Sequence, residues 1–374
     1  MSEASLVPQV SAAAPNESYR VAATRPSASA LATEFIDPLT ENDWDAQVGG
    51  NPASTIFHSA AWAKVLHDTY AHRPTYLLLS QAGRSQALVP IMEIASPLTG
   101  RRGVTLPFSD FCGPLFSEQV TLDSLTGNLA ALARERAWKY LEVRETSGLP
   151  PADQVTPTFY GHVLPLRHDA DQLRDGFSSA VRRSLNKAER NDVSVEVTQT
   201  LDAVSQFYQL HRRTRRRHGA PPQPFAFFRN IHRHIIEPGL GFLVIATKAS
   251  RPIAAAVFFI QGKSAVYKFG ASDERQQEYR ANNLVMWEAI KHLCSGGCRS
   301  LHFGRTSFAN EGLRRFKLGW GAAEEPLSYR RLDPIRSEWA AVAPPSNSIA
   351  EKVFRRLPTI VNSLAGTLFY PHLD

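Results

Sequence analysis

The chain has 374 residues, 43% hydrophobic and 21% charged, with 22 Gly, 25 Pro and 3 Cys, which leaves room for two globular domains with tails and excludes collagen, coiled coil and a disulfide scaffold. Residues 1–165 hold 11 Lys+Arg against 16 Asp+Glu and residues 166–374 hold 31 against 19, so the halves carry −5 and +12 and sum to the whole chain's +7. So basic a second half implies an anionic partner: a phosphate-bearing small molecule, RNA or an anionic lipid surface.

Residues 1–32, rich in Ala, Ser and Pro and without period, read as a disordered tail. Glu3 and the lack of an apolar h-region argue against a secretory signal, so a cytoplasmic location is expected. A first folded unit, 33–166, begins with a helix capped by Ser59, with Trp62, Val65, Leu66 and Tyr70 on one stripe. Extended runs are predicted over Thr75–Gln81, Gln86–Ala95 and Gly103–Phe108, the first two joined by a hairpin at Ala82-Gly83-Arg84-Ser85. A helix near Leu122–Arg136 and strands Tyr140–Arg144 and Phe159–Leu166 close the unit.

The second unit, 167–334, repeats that order. A basic helix runs from about Ala170 to Arg190, then a strand Val193–Val197. The helix Leu201–His218 ends at Gly219, a natural residue to follow a helix C-terminus. Another helix follows Pro224 and stops before Pro238. Strands Gly241–Thr247, Ile253–Gln261 and Ala265–Gly270 come next, then a helix Asn283–Cys294 and a strand Leu301–Gly304. A short helix near Gly312–Leu318 and a strand around Leu327–Leu332 complete it. The fold class expected is α+β: two tandem domains of mixed, mostly antiparallel sheets flanked by helices. Residues 335–374 form a helical tail, apolar with basic flanks, which either packs on the second domain or lies in a membrane interface.

Six phrases in this order resemble the Fem-type aminoacyltransferases and their GNAT-like acyltransferase relatives. They are Phe57-His58-Ser59-Ala-Ala-Trp62, Leu106-Pro107-Phe108-Ser109-Asp110-Phe111-Cys112-Gly113 and Arg213-Thr214-Arg215 through Gly219. Later come Asn282-Asn283 through Ile290, Phe303-Gly304-Arg305-Thr306 and Gly312 through Gly321. The resemblance spans roughly residues 35–332. It implies tandem GNAT-like domains that transfer an acyl or aminoacyl group to an amine of a cell-envelope glycan or peptidoglycan precursor. The donor it implies is acyl-CoA or aminoacyl-tRNA, with no permanently bound cofactor. Two departures leave that donor open. The stretch Arg275–Asn282 lacks the glycines of a GNAT pyrophosphate loop, and no coiled-coil-length insertion interrupts the second domain.

Acyl transfer to an amine needs the donor held by its phosphates, a polarised carbonyl and a path for the amine's proton. Arg275, Arg280, Asn282 and Asn283 stand where a GNAT fold binds its donor, before a helix N-terminus; the alternative is a solvated loop. Lys317 is a candidate to hold a phosphate or an oxyanion, or else a surface lysine. Asp110, among aromatics, is a candidate base with a raised pKa, a holder of the substrate amine, or a loop cap. Tyr279 is a candidate proton donor to the leaving group. His58 and Trp62 are candidates for substrate contact, with capping and packing as the alternative. Five arginines between His211 and Gly219 suit phosphate binding, and from them Arg217 and Gly219 are placed near a substrate cleft. Arg182 and Lys187 extend the cationic surface, and with Arg305, from one of the six phrases, they are candidates for substrate binding. The histidines lack metal-ligand spacing, so no metal is expected. The rival reading is a non-catalytic RNA- or anionic-lipid-binding protein on a degenerate GNAT fold.

Overall fold

The computed structural model describes residues 32–82, 84–117, 120–145, 159–342 and 349–373. The expected N-terminal tail lies outside them except for residue 32, which opens a strand. The first half runs β1 (Ala32–Ile36), α1 (Trp44–Gly49), α2 (Ala60–Tyr70), β2 (Arg73–Pro74), β3 (Tyr76–Gln81) and β4 (Arg84–Val89). It continues with β5 (Met92–Ser96), β6 (Gly100–Val104), β7 (Leu115–Phe116), α3 (Thr126–Glu135) and β8 (Leu141–Glu145). The second half runs β9 (Phe159–Pro165), α4 (Asp171–Asp175), α5 (Ser179–Glu189), β10 (Ser194–Thr198), α6 (Leu201–Arg217) and α7 (Phe225–Ile231). Then come β11 (Gly241–Lys248), β12 (Arg251–Gln261), β13 (Ser264–Ser272), α8 (Ala281–Ser295), β14 (Ser300–His302), β15 (Thr306–Ser307) and α9 (Glu311–Gly319). After β16 (Ala323–Asp333) and β17 (Glu338–Ala341), the helices α10 (Ile349–Arg356) and α11 (Thr359–Phe369) end the chain.

Three expected elements are broken differently, each for a local reason. The run Gln86–Ala95 is two strands, because Pro90 follows β4 and cannot continue a ladder. β4 then joins a small sheet in the order β1-β3-β4-β7, while β5 joins a long one. The basic helix 170–190 is interrupted at Gly176, and Ser178 restarts it by accepting from the Val181 N–H at 3.3 Å. The strand expected to reach Phe108 stops at Val104, since Leu106 and Phe108 take φ of 52° and 59°.

The long sheet runs β10-β11-β12-β13-β14-β9-β16-β8-β6-β5-β2 and joins the two halves. β9, expected to end the first unit, is hydrogen-bonded to β14, β15 and β16 of the second. β16 bridges the halves: residues 323–327 pair with β9 and residues 328–332 with β8. One apolar core also crosses the boundary, where the α2 ring of Trp62 meets Phe227 at 6.0 Å and Phe259 at 5.9 Å. The two halves are therefore held in a fixed relation by a shared strand and a shared core.

Candidate active site

β13 and β14 run parallel from Ser264 opposite Ser300 to Val266 opposite His302, and there the pairing ends while β13 continues to Ser272. Chain folded between the two strand ends brings four ionisable side chains from both halves together. Asp110 sits on the loop after β6, and its carboxylate accepts from Lys268 Nζ of β13 at 2.8 Å. The Arg305 guanidinium stands 4.0 Å from the same carboxylate. Lys317, from α9, donates to the carbonyls of Gly304 at 2.8 Å and Arg305 at 3.1 Å. Gly304 is held at its other end too, because its N–H donates to His302 Nδ1 at 2.8 Å. That bond makes Nε2 the protonated ring nitrogen of His302, and it donates to Glu325 at 3.1 Å. Gly304 has φ +70°, and a Cβ there would lie 3.2 Å from the Asp110 carboxylate, so this position needs a glycine.

Tyr329 of β16 completes the frame. Its hydroxyl donates to the Asp110 carbonyl at 2.6 Å and accepts from Arg305 at 3.1 Å. Arg305 itself lies over the rings of Phe159 and Tyr329, at 4.6 and 5.4 Å, and Lys268 lies 5.3 Å from the Phe57 ring. The approachable side is Arg305 and Asp110, whose side chains are 40% and 16% exposed; Lys268 is 5% exposed and Lys317 1%.

Electrostatics separates the roles. Burial alone would push the Asp110 carboxyl up, but Lys268, Arg305 and Lys317 more than offset it and hold it below the usual value. Burial presses Lys268 down and Asp110 lifts it; with Arg305 and Arg144 adding to the burial, the net shift is downward. Three cations surround one anion here, so the carboxylate is the member most firmly kept charged. Lys317 is pushed down by burial to about 7, with Asp110 opposing. Asp110 is thus not a carboxyl of raised pKa and is a weak base at neutral pH.

A second feature lies along the same strand. From Lys268 to Ser272 is four residues, or about 13 Å at ~3.3 Å per residue. Beyond Ser272 opens a cleft of about 1490 Å³ between the end of α6, the β11–β12 turn and the segment 273–279. Arg213, Arg216, Arg217, Lys248, Arg251 and Arg275 line it, against the acids Asp273 and Glu274. Arg213 pairs with Asp273 at 3.6 Å and Arg217 with Glu274 at 3.8 Å, so part of this charge is already answered.

The expected site residues therefore divide. Asp110, Arg305 and Lys317 meet at the junction, while Arg217, Arg275 and Tyr279 line the cleft. Arg280 and Asn282 are exposed beside the start of α8, Asn283 is half-buried in its first turn, and none of the three lines the cleft. Lys317 is no surface lysine and reaches no phosphate, because it is enclosed. Trp62 is fully buried and packs the shared core rather than facing a ligand. His58 is buried too. Its Nδ1 accepts from Thr55 N–H at 3.1 Å, its Nε2 donates to Gly113 O at 2.9 Å, and burial drives its pKa down to about 4. It ties the start of α2 to the Asp110 loop rather than touching substrate. Gly219, at φ +69°, faces the backbone of Glu351 and gives α10 its seat. Arg182 donates to the Asp175 carbonyl at 2.9 Å and Lys187 is exposed on the same helix α5, outside both the cluster and the cleft.

Lys268, His302, Glu325 and Tyr329 were not anticipated. A signal existed for two of them: Lys268 and His302 are lone polar residues inside the apolar runs Ala265–Phe269 and Leu301–Phe303. Among the described residues no three His, Cys, Asp or Glu come together as a metal-holding group, and no helix is long and apolar enough to cross a membrane.

Residues 176–325 match the acetyltransferase (GNAT) domain family. Among solved structures the chain is similar to FemX, at 14% identity over 79% of this chain and 95% of that one, with a TM-score of 0.62. It is similar to a tandem GNAT protein from the clavulanic acid biosynthesis pathway, at 11% identity over 85% of this chain and 100% of that one, with a TM-score of 0.53. A third similarity is to a structure from Agrobacterium fabrum described as the C-terminal domain of a lysylphosphatidylglycerol synthetase, at 16% identity over 76% and 91% of the chains, TM-score 0.51. No curated protein matches the sequence. The fold is two GNAT-like domains in tandem, and the domain match supports acyl transfer in general.

Proposed function

We propose that this chain, two GNAT-like domains in tandem, is an N-acyltransferase or aminoacyltransferase acting on an amine of a cell-envelope glycan or peptidoglycan precursor, at the cytoplasmic side of the membrane. The observation that carries the proposal is the Asp110–Lys268–Arg305 cluster at the end of the β13–β14 pairing, reached along β13 from a cationic cleft. A donor with its phosphates among Arg216, Arg251 and Arg275 can lay its acyl end toward that cluster; acyl-CoA and aminoacyl-tRNA both have this form. The ionised Asp110 holds the acceptor as its ammonium and Arg305 binds an anionic part of the substrate. After losing a proton to solvent water, the amine nitrogen attacks the acyl carbonyl carbon. The C–N bond forms, the thioester C–S or ester C–O bond breaks, and the departing sulfur or oxygen takes the second proton that the nitrogen sheds. No covalent enzyme intermediate is formed. Lys317 supports from behind by fixing the two carbonyls that carry Arg305.

Asp110→Asn is expected to lower turnover about a hundredfold while far-UV circular dichroism stays unchanged. Wild-type turnover from the variant would remove the assignment. The donor is read by calorimetric titration with acetyl-CoA, longer acyl-CoAs and charged tRNA at low and high salt. Selective, salt-tolerant binding of one donor is the expected result and names its class.

One observation favours a second reading, the non-catalytic RNA or anionic-lipid binder. The segment 273–279 has no glycine and places Asp273 and Glu274 among the cations. Weak, indiscriminate binding that falls steeply with salt would select that reading.

A further inference from the structure

α11 is packed inside out. Its buried face is Asn362 and Gly366, while Ile360, Leu364 and Leu368, four residues apart on the opposite face, are 69%, 61% and 69% exposed. Val361 and Phe369 border this stripe at 45% and 43%, and Val353 of α10 stands in the open at 51%. The helix holds no charged residue. An amphipathic helix that belonged wholly to the body would turn its large aliphatic side chains inward.

The seat of the helix is built for this orientation. At Gly366 the backbone closes on the Pro222 carbonyl, where any Cβ would collide. Asn362 donates to Ala220 O at 3.2 Å, and Arg212 donates to Ser363 Oγ at 2.8 Å. Beyond the helix, Arg102 of the first half donates to His372 O at 2.8 Å. The polar face is thus pinned to the body at both ends, and the apolar stripe is presented outward on a fixed support.

Charge identifies what covers it. Lys352, Arg355 and Arg356 are exposed on α10 immediately before the stripe, and Arg355 also stands on the wall of the cationic cleft. A second copy meeting this face about a two-fold axis would set these cations against their own counterparts. An anionic bilayer offers apolar depth to the stripe and phosphates to its rim. We propose that α10 and α11 dock the protein on an anionic phospholipid surface, with Ile360, Leu364 and Leu368 entering the acyl boundary and Lys352, Arg355 and Arg356 contacting lipid phosphates.

This deepens the membrane-side placement proposed above and rests on that part of it alone, not on the transferred group. The test is co-sedimentation of the full chain with vesicles of phosphatidylcholine alone and of phosphatidylcholine mixed with phosphatidylglycerol. Binding is expected only to the mixed vesicles. The variant Ile360→Ser/Leu364→Ser/Leu368→Ser, changed only at exposed positions, is expected to lose about tenfold or more in vesicle affinity. Its transfer to a water-soluble acceptor is expected to be unchanged, so a failed reaction and a failed docking surface give different results. The proposal is overturned if neither vesicle binds the protein or if the triple variant binds as the parent does. It is also overturned if ultracentrifugation shows a dimer that the variant converts to monomer without any vesicle binding, which would make the face a contact between copies.

Discussion

Lys317 shows how one buried group ties the site to stability. Its folded pKa of about 7 lies below the ordinary 10.5, so between those values the unfolded chain binds the extra proton. Stability then rises with pH from about 7 to 10.5, and below 7 the folded chain bears the full cost of an enclosed ammonium. Against Lys317→Met, wild type should gain on the order of 5 kcal/mol across that window, measured by urea unfolding at several pH values. A flat difference would mean that Lys317 is not desolvated as described. Asp110 is legible in the sequence as a carboxylate among aromatics, but the sign of its shift is not. That sign depends on Lys268 and Arg305, 158 residues away and 195 residues away by sequence number.

At the scale of elements, helices and strands with strong apolar period were legible: α2, α6, α8 and β11 to β13 all occur where the pattern puts them. The misses are short or interrupted elements such as β7 and the break between α4 and α5, where one Gly or Pro outweighs the pattern. Trp62 was legible as an apolar helix residue; what it packs against was not. Because it joins α2 to α7 across the two halves, Trp62→Ala should cost about 3–5 kcal/mol in denaturant unfolding. Gly219 carries another element-scale consequence. Gly219→Ala meets both a positive φ and the backbone of α10. The strain, about 1–2 kcal/mol, should loosen α10 and speed limited proteolysis within Ile349–Arg356.

For the whole molecule, acid should undo both halves together. His58 in the first half and His211 in the second are buried and neutral, with burial lowering their pKa values to about 4 and about 3. His211 donates to Gln223 at 2.9 Å in that state. In each case the unfolded chain takes up a proton, near the ordinary 6.5, that the folded chain refuses. Stability is therefore lost as pH falls through 6.5 toward 4. Because β16 and the shared core couple the halves, one cooperative transition is expected in thermal scans at pH 5, and His211→Gln should raise its midpoint there relative to wild type. Two separate transitions would show that the coupling is weaker than the shared strand implies.

The sequence by itself determined the order of the long elements, the basic second half and the likeness to tandem acyltransferases, because periodicity, charge and short phrases are local properties. Only the tertiary structure decided which polar residues act together. Asp110 meets Lys268, Arg305 and Lys317 through a strand shared between halves, and no spacing along the chain encodes that meeting. The direction in which α11 faces was settled the same way, by the glycine that lets its backbone close on Pro222.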